Sequence, residues 1–216
     1  MGKRAVVFAN GDVRDPRLQQ RWLKQGDLLI CADGGARHCL AMGLAPLLVV
    51  GDFDSISPEQ AEECAALGTT LERHPVDKDN TDLELALARA VDMGADQVLV
   101  LGAWGDEPDH TLGNLLVLAG SEYSVPMAIA QDNCLIRVLR DHEELVIKGP
   151  LDGMVSVLAL SRRVSGITYA GLKYPLMDAV LDRGSGRALR NRIVENPACI
   201  RIGKGLLWTM HEVFEP

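Results

Sequence analysis

Short apolar runs divide the first 130 residues into alternating candidate strands and helices. Apolar and polar residues do not alternate along these runs, and turn residues bound them. They lie at Ala5–Ala9, Asp27–Ala32, Leu47–Val50, Thr69–Arg73, Gln97–Leu101 and Pro126–Ala130. Runs of this kind are typical of parallel strands covered on both faces.

Helical spacing occupies the intervals between these runs. Pro58–Leu67 follows Ser57, a favourable N-cap, and places proline in the first turn. Leu83–Met93 repeats apolar residues at helical spacing and ends at a glycine, and Thr111–Gly120 follows the same pattern. Strands that alternate with helices predict a mostly parallel α/β sheet with right-handed crossovers.

The pattern changes after about residue 134. Short runs separated by Gly, Pro and Asp replace the helical periods, at Leu135–Leu139, Glu144–Lys148, Met154–Leu160, Ser165–Tyr169, Ala198–Ile202 and Leu206–Met210. Leu176–Leu181 fits either a helix or a strand. Closely spaced strands with turn signals predict an antiparallel β-sandwich. We therefore expect an α/β domain over residues 1–137 and a β-sandwich domain over residues 138–216.

Composition narrows the class of protein. The chain is 47% hydrophobic and 24% charged, an ordinary globular composition, and no window is apolar enough to cross a membrane. Its five cysteines are scattered without a CxxC pair, so neither a disulfide framework nor a zinc site is indicated, and we expect a reducing, cytoplasmic location. The net charge of −8 argues against a nucleic-acid partner.

Aspartates follow four of the predicted strands. They are Asp33, then Asp52 and Asp54, then Asp77, Asp79 and Asp82, and finally Asp106 and Asp109. The carboxyl ends of parallel strands lie along one edge of a sheet, where ligands bind. Carboxylates gathered there repel one another unless a cation lies between them, and oxygen ligands of this kind suit Mg²⁺. The alternative is turn and capping chemistry, which explains any single aspartate but explains all four loops poorly.

Glycines accompany these acids. Asp33–Gly34–Gly35–Ala36 joins a strand to a helix, and Gly102–Ala103–Trp104–Gly105 precedes Asp109–His110–Thr111. Such loops direct backbone N–H groups at an anion, although neither matches a Walker A or GxGxxG motif. Together with the carboxylates they indicate a nucleotide polyphosphate with Mg²⁺ and a phosphoryl-type transfer. His110 fits either a phosphate contact or a structural residue at a helix start.

Arginines cluster between two of the later strands, at Arg183, Arg187, Arg190 and Arg192. They fit a solvated loop or a phosphate contact equally well.

Seven segments in this order resemble the thiamine pyrophosphokinase family. They are CADGGA (31–36), GDFDSI (51–56), DKDNTDLELAL (77–87), LGAWGDEPDH (101–110), LIRVL (135–139), GLKYPL (171–176) and GLLWTM (205–210). The resemblance implies transfer of diphosphate from ATP to the thiamine hydroxyl, with Mg²⁺, giving thiamine diphosphate and AMP. It also implies a homodimer with thiamine bound between the subunits.

Carried over by position, the resemblance implies roles for individual residues. Catalysis falls to Asp52, Asp54 and Asp82, and metal binding to Asp33, Asp52, Asp54 and Asp82. ATP and phosphate contacts fall to Asp33, Gly34, Gly35, Asp79, Thr81, Gly102, Asp109 and His110. Thiamine contacts fall to Trp208 and Ser185. A thiazolium cation and an aromatic pyrimidine suit an indole ring, although Trp208 also fits a place in the sandwich core.

Two positions depart from the family pattern. Glu107 stands where the family has an arginine, and Gly184–Ser185–Gly186 replaces a Thr-Ser-Asn turn. We therefore hypothesise that Arg183 or Arg187 supplies the missing positive charge.

Three other functions remain open from the sequence. One is a Mg²⁺-dependent pyrophosphokinase that acts on a hydroxymethyl pterin, and another is a catalytically inactive module that binds nucleotide or thiamine. A nucleotide-sugar transferase with a DxD site accounts for only one of the four acidic loops.

Overall fold

The computed structural model describes residues 2–13, 19–105, 107–120 and 125–214. The chain divides into two units, Met1–Asp132 and Asn133–Pro216. This division falls five residues before the boundary expected at 137/138. The reason is that Cys134–Leu139 pairs along its whole length with a strand of the second unit.

A six-stranded parallel sheet forms the first unit. The strands are β1 (Lys3–Phe8), β2 (Leu28–Ala32), β3 (Leu48–Gly51), β4 (Thr70–Arg73), β5 (Ala95–Leu101) and β6 (Met127–Gln131). Their order is β6-β5-β1-β2-β3-β4, and every pair is parallel. This arrangement confirms the α/β class predicted from the apolar runs.

Helices connect these strands. They are α1 (Ala36–Ala41), α2 (Pro58–Ala66), α3 (Asp82–Asp92) and α4 (Pro108–Gly120). Helix α3 buries Leu83, Ala86, Leu87 and Ala90, the stripe expected from its spacing, against the sheet. Helix α4 begins at Pro108, three residues before the predicted start at Thr111, because proline is well tolerated in the first turn.

Two antiparallel sheets form the second unit. The strands are β7 (Cys134–Leu139), β8 (Glu144–Ile147), β9 (Met154–Ala159), β10 (Arg163–Ala170), β11 (Ala179–Asp182), β12 (Asn191–Arg192), β13 (Ala198–Arg201) and β14 (Leu207–Glu212). One sheet has the order β12-β9-β14-β7 and the other β11-β10-β13-β8. Both contribute side chains to one buried core, including Val157 and Leu207 from the first and Ile167 and Ile200 from the second. The unit is therefore the predicted β-sandwich.

Two strands of the sandwich differ from expectation. The second half of the ambiguous stretch Leu176–Leu181 lies in strand β11, which begins at Ala179 and pairs with β10. The two-residue strand β12 gives no periodic signal of its own and exists because Asn191 and Arg192 pair with β9.

None of the helices in the described ranges reaches the length and apolar character that a membrane crossing requires.

Candidate active site

Three carboxylates from successive loops meet at the carboxyl edge of the parallel sheet. Asp33 follows β2, Asp52 follows β3, and Asp82 begins α3 after β4. One oxygen from each lies within 4.8 Å of one oxygen of both others. Strand topology brings them together, because β2, β3 and β4 are adjacent and parallel.

Local backbone geometry makes room for this cluster. Asp33 adopts a φ of 41° at the start of a 3₁₀ turn, Asp33–Gly35. At Gly51 an added Cβ would lie 2.7 Å from the Cβ of Asp33 and 3.2 Å from the Cγ of Asp82. Glycine at the end of β3 is therefore required for these carboxylates to approach one another.

Lys78 is the cation that the sequence analysis did not anticipate. Its Nζ lies 3.1 Å from Oδ2 of Asp52 and 3.0 Å from Oδ1 of Asp82. Burial acts to raise the pKa of Asp52, but the hydrogen bonds from Lys78 and from the N–H of Asp54 outweigh it and hold that pKa below its usual value. One lysine thus pairs with two of the carboxylates, and the third has no ion pair with any residue in the described ranges.

Asp33 is that third carboxylate. It is 3% exposed, and its Oδ2 accepts a 3.0 Å hydrogen bond from the N–H of Ser55. Its Oδ1 is buried and accepts no hydrogen bond from any residue that the structure describes. Burial raises the pKa of Asp33 to about 6, and the neighbouring charges of Asp82 and Asp52 act in the same direction. A buried oxygen without a donor is a ligand position that a cation would satisfy.

Asp54 lies beside the cluster but outside the group of three. It is exposed, its backbone N–H donates to Oδ1 of Asp52 at 3.2 Å, and its carboxylate accepts from the hydroxyl of Ser55. The residue between the two aspartates, Phe53, adopts a φ of 69° and lies 4.7 Å below the guanidinium of Arg73.

Thr81 holds the start of α3. Its hydroxyl accepts from the N–H of Glu84, and the carboxylate of Glu84 accepts from the N–H of Thr81, which is a reciprocal capping box. Asp79 lies exposed in the preceding loop. Thr81 therefore stabilises the first turn of α3, which begins at Asp82.

The glycine loops lie at the same edge of the sheet. Gly34 and Gly35 are buried in the turn after β2, close to the side chain of Asn10 and the carbonyl of Phe8. After β5, Gly102 has a φ of 66°, a conformation that favours glycine, and its carbonyl accepts from the N–H of Gly11 at 2.7 Å. The loops after β1 and β5 are thus joined by backbone hydrogen bonds.

None of the acidic residues of the fourth loop that the structure describes joins the cluster. Asp109 and His110 lie in the first turn of α4 and are exposed, with the carboxylate of Asp109 accepting from the N–H of His110. The Nε2 of His110 lies 3.9 Å from the carboxylate of Glu107, and both side chains are largely exposed. Asp77 is likewise exposed and apart from the group of three, and Asp106 lies outside the described residues.

Trp208 and Ser185 belong to the second unit. Trp208 is 8% exposed and is absent from the buried core cluster that contains its neighbour Leu207, because alternate residues of a strand face opposite sides. Its indole Nε1 is buried and has no hydrogen-bond partner in the described part of the chain. Ser185 lies in the turn after β11, where its hydroxyl accepts from the N–H of Arg187.

Comparison with known proteins identifies the family. A family model described as thiamin pyrophosphokinase, catalytic domain, matches residues 19–129. The chain belongs to the thiamin pyrophosphokinase family. A thiamine pyrophosphokinase from Bacillus subtilis is 28% identical over 83% of this chain and 85% of that protein, and thiamine pyrophosphokinase 1 from Oryza sativa subsp. japonica is 29% identical over 95% and 86%.

Solved structures agree with this assignment. The crystal structure of thiamine pyrophosphokinase from Bacillus subtilis matches with a TM-score of 0.85 at 25% identity, over 98% of this chain and 100% of that one. These comparisons confirm the prediction that the chain belongs to the thiamin pyrophosphokinase family. They also confirm the prediction that it is an enzyme. Thiamine pyrophosphokinase activity is thereby favoured over the pterin-directed enzyme and the inactive binding module.

Sequence reasoning missed two residues of this thiamin pyrophosphokinase site, Lys78 and Asn10. Lys78 stands four residues before Asp82, a spacing that allows an ion pair only if the segment is turned so that both face the cluster. Asn10 follows β1, and its side chain lies close to Gly34 in the turn after β2. Its signal in the sequence is its position at the carboxyl end of a parallel strand, where ligands bind.

Proposed function

We propose that this enzyme transfers diphosphate from ATP to thiamine with Mg²⁺ as its metal. The hydroxyl oxygen of thiamine bonds to the β-phosphorus of ATP, the bond from that phosphorus to the oxygen bridging to the α-phosphate breaks, and AMP leaves. The hydroxyl proton is released. The observation that carries the proposal is the group of three carboxylates, Asp33, Asp52 and Asp82, within 4.8 Å of one another.

The donor set fits Mg²⁺. It consists of carboxylate oxygens, which Mg²⁺ prefers, and it includes the buried Oδ1 of Asp33 that lacks a donor. Asp33, Asp52 and Asp82 would hold the ion, with Asp54 beside them. When bound, it would neutralise charge on the phosphates. The lysine at this site carries a single charge shared by Asp52 and Asp82, so the group keeps a net negative charge.

The loops around the cluster are the proposed phosphate-binding elements. Gly34 and Gly35 offer backbone donors next to Asp33, and Gly102 lies in the loop joined to the β1 loop. Asp79, Thr81, Asp109 and His110 are the remaining proposed contacts with ATP; Asp79 lies in the loop before α3, and the other three lie at the starts of α3 and α4. Donors at strand ends and helix starts are the usual partners of phosphate oxygens.

The second unit is the proposed thiamine-binding unit. The unpartnered indole N–H of Trp208 and its position off the sandwich core support a ligand contact. Ser185 remains a proposed polar contact. Tyr174, in the GLKYPL segment, and Met177, directly after it, are 60% and 87% exposed and add apolar surface to the same unit.

A homodimer is part of the proposal. Leu112 and Leu116 lie one helical turn apart on α4 and are 57% and 47% exposed, which is an apolar stripe of the kind that a partner covers. The five free cysteines support a reducing, cytoplasmic compartment.

The deciding experiment measures AMP formed from ATP. We expect formation of AMP and thiamine diphosphate that requires both thiamine and Mg²⁺ and stops on addition of EDTA. The matched variant Asp52→Asn should lose this activity while keeping its far-ultraviolet circular dichroism spectrum. AMP formed with a hydroxymethyl pterin and not with thiamine would overturn the proposal, as would thiamine binding without any AMP.

A further inference from the structure

Three arginines and one aspartate line a groove in the β-sandwich unit, next to the turn that holds Ser185. They are Arg162, Arg163, Asp182 and Arg183, and the groove has a volume of about 690 Å³. This size lies within the range of small-molecule sites. The four side chains carry three positive charges and one negative charge, in a chain whose net charge is −8.

Strand pairing sets the positions of these side chains. Arg163 lies opposite Asp182 in the β10–β11 ladder, and one position further the N–H of Arg183 donates to the carbonyl of Arg162 at 3.0 Å. Arg162 and Arg183 are therefore cross-strand neighbours on the same face. Like charges placed directly opposite each other destabilise an antiparallel pair.

Among the described residues the aspartate forms an ion pair with one of the three guanidinium groups, and the charge of Arg162 also acts to lower its pKa. Nε of Arg163 donates to Oδ1 of Asp182 at 2.9 Å, and this hydrogen bond is the main reason that the pKa of Asp182 lies below its usual value. In the described part of the chain, neither Arg162 nor Arg183 has an ion pair. The groove therefore retains two unpaired guanidinium groups side by side.

We propose that this groove binds a diphosphate group through Arg162 and Arg183. The planar guanidinium offers paired N–H donors that match phosphate oxygens, and two adjacent groups match the two phosphorus centres of a diphosphate. A bound anion also removes the like-charge cost of the Arg162–Arg183 pair. Free inorganic pyrophosphate and the diphosphate tail of a larger molecule carry the same chemistry.

The test is calorimetric titration of the metal-free protein with inorganic pyrophosphate in EDTA at low salt. We expect saturable binding that weakens by roughly tenfold or more in the double variant Arg162→Gln/Arg183→Gln, because two charge-assisted contacts are lost. The control Lys148→Gln/Arg201→Gln removes two positive charges from the same unit outside the groove and should change the affinity by less than about twofold.

The sign of the effect gives a second measurement. Asp182→Asn removes the one negative charge of the groove, so this variant should bind pyrophosphate more tightly than the unmodified protein. Melting temperatures of all variants establish that each is folded before titration.

Titration with thiamine diphosphate and with thiamine distinguishes the sources. Binding of thiamine diphosphate that shows the same arginine dependence, with none for thiamine, supports the tail of a larger molecule. Arginine-dependent binding of pyrophosphate alone supports the free anion. Equal affinities in the unmodified protein and both double variants, or no saturable binding of pyrophosphate, would overturn the proposal. AMP formation is measured separately, so this failure would leave the proposed enzyme activity standing.

Discussion

At the scale of single residues, Lys78 counters the charge of the carboxylate cluster. We predict that Lys78→Met destabilises the metal-free protein by about 2 kcal/mol, because Asp52 and Asp82 lose their shared cation and repel each other and Asp33. The melting temperature in EDTA should fall by roughly 5 °C. Mg²⁺ should then raise it more in the variant than in the unmodified protein, because the ion replaces the lost charge.

The matched control for this prediction is Lys148→Met, which removes one exposed lysine from the other unit. It should leave the response to Mg²⁺ unchanged. An identical rise in melting temperature for Lys78→Met and the unmodified protein would show that the three carboxylates do not share a cation.

Asp54→Asn separates catalysis from folding. Asp54 is exposed, and among the described residues its polar contacts are with Asp33, Asp52 and Ser55, so we expect a change in melting temperature below about 2 °C. Activity should fall by about 10–100-fold, because the carboxylate beside the proposed metal ligands is lost. Thermal unfolding and AMP formation measured on the same sample test this; comparable losses in both would mark Asp54 as structural.

At the scale of single residues, the sequence predicted which aspartates follow strands better than it predicted which of them lie close together. Asp33, Asp52, Asp54 and Asp82 are the metal ligands expected from the sequence at one edge of the sheet, and the structure groups three of them, without Asp54. Asp77 and Asp109 follow strands too, yet a side chain after a strand end can also turn to solvent, and theirs do. The contact of Lys78 with two acids depends on the conformation of the 74–81 loop, which no periodicity encodes.

At the scale of elements, two helices begin with the same capping box and only one carries a site carboxylate. Thr81 caps α3, whose first residue is Asp82, and Ser57 caps α2. We predict that Thr81→Ala and Ser57→Ala each cost about 1 kcal/mol of stability. Only Thr81→Ala should also lower kcat/KM at limiting Mg²⁺, by roughly tenfold, because Asp82 loses its fixed position.

Thr81→Ser is the rescue variant, since serine preserves the cap. Chemical denaturation and kinetics on the three variants together decide the matter. Equal kinetic losses in Thr81→Ala and Ser57→Ala would refute a link between this cap and Asp82.

Elements with a strong local period were predictable, and elements defined by their partners were not. Helix α3 shows its buried stripe in the sequence, and its bounds differ from the prediction by one residue at each end. Strand β12 has two residues and is a strand only because β9 lies beside it. The position of β7 in the second unit likewise follows from its pairing with β14, which no local signal records.

At the scale of the whole molecule, two buried titratable groups make stability depend on pH in opposite directions. Burial raises the pKa of Asp33 from its ordinary value of 3.8 to about 6. Between these two pH values the folded, metal-free protein binds this proton and the unfolded chain does not, so the contribution of Asp33 to stability rises as the pH falls. Burial, with the nearby charge of Arg137, lowers the pKa of His211 to about 4, so its protonation favours the unfolded chain. One group lies in each unit.

His211 gives the prediction that separates these effects. It is 3% exposed on β14, and its Nδ1 is buried without a hydrogen-bond partner among the described residues. Above pH 6.5 it is neutral in both states, whereas between 6.5 and 4 only the unfolded chain gains the proton, so stability falls by up to about 3 kcal/mol. His211→Leu should remove this loss, and the exposed His110→Leu should keep it. Melting temperatures measured in EDTA at pH 7.5 and 5.0 test the difference. If the melting temperature of His211→Leu falls between these pH values as much as that of the unmodified protein, then His211 does not bind a proton on unfolding. The acid sensitivity would in that case come from other groups.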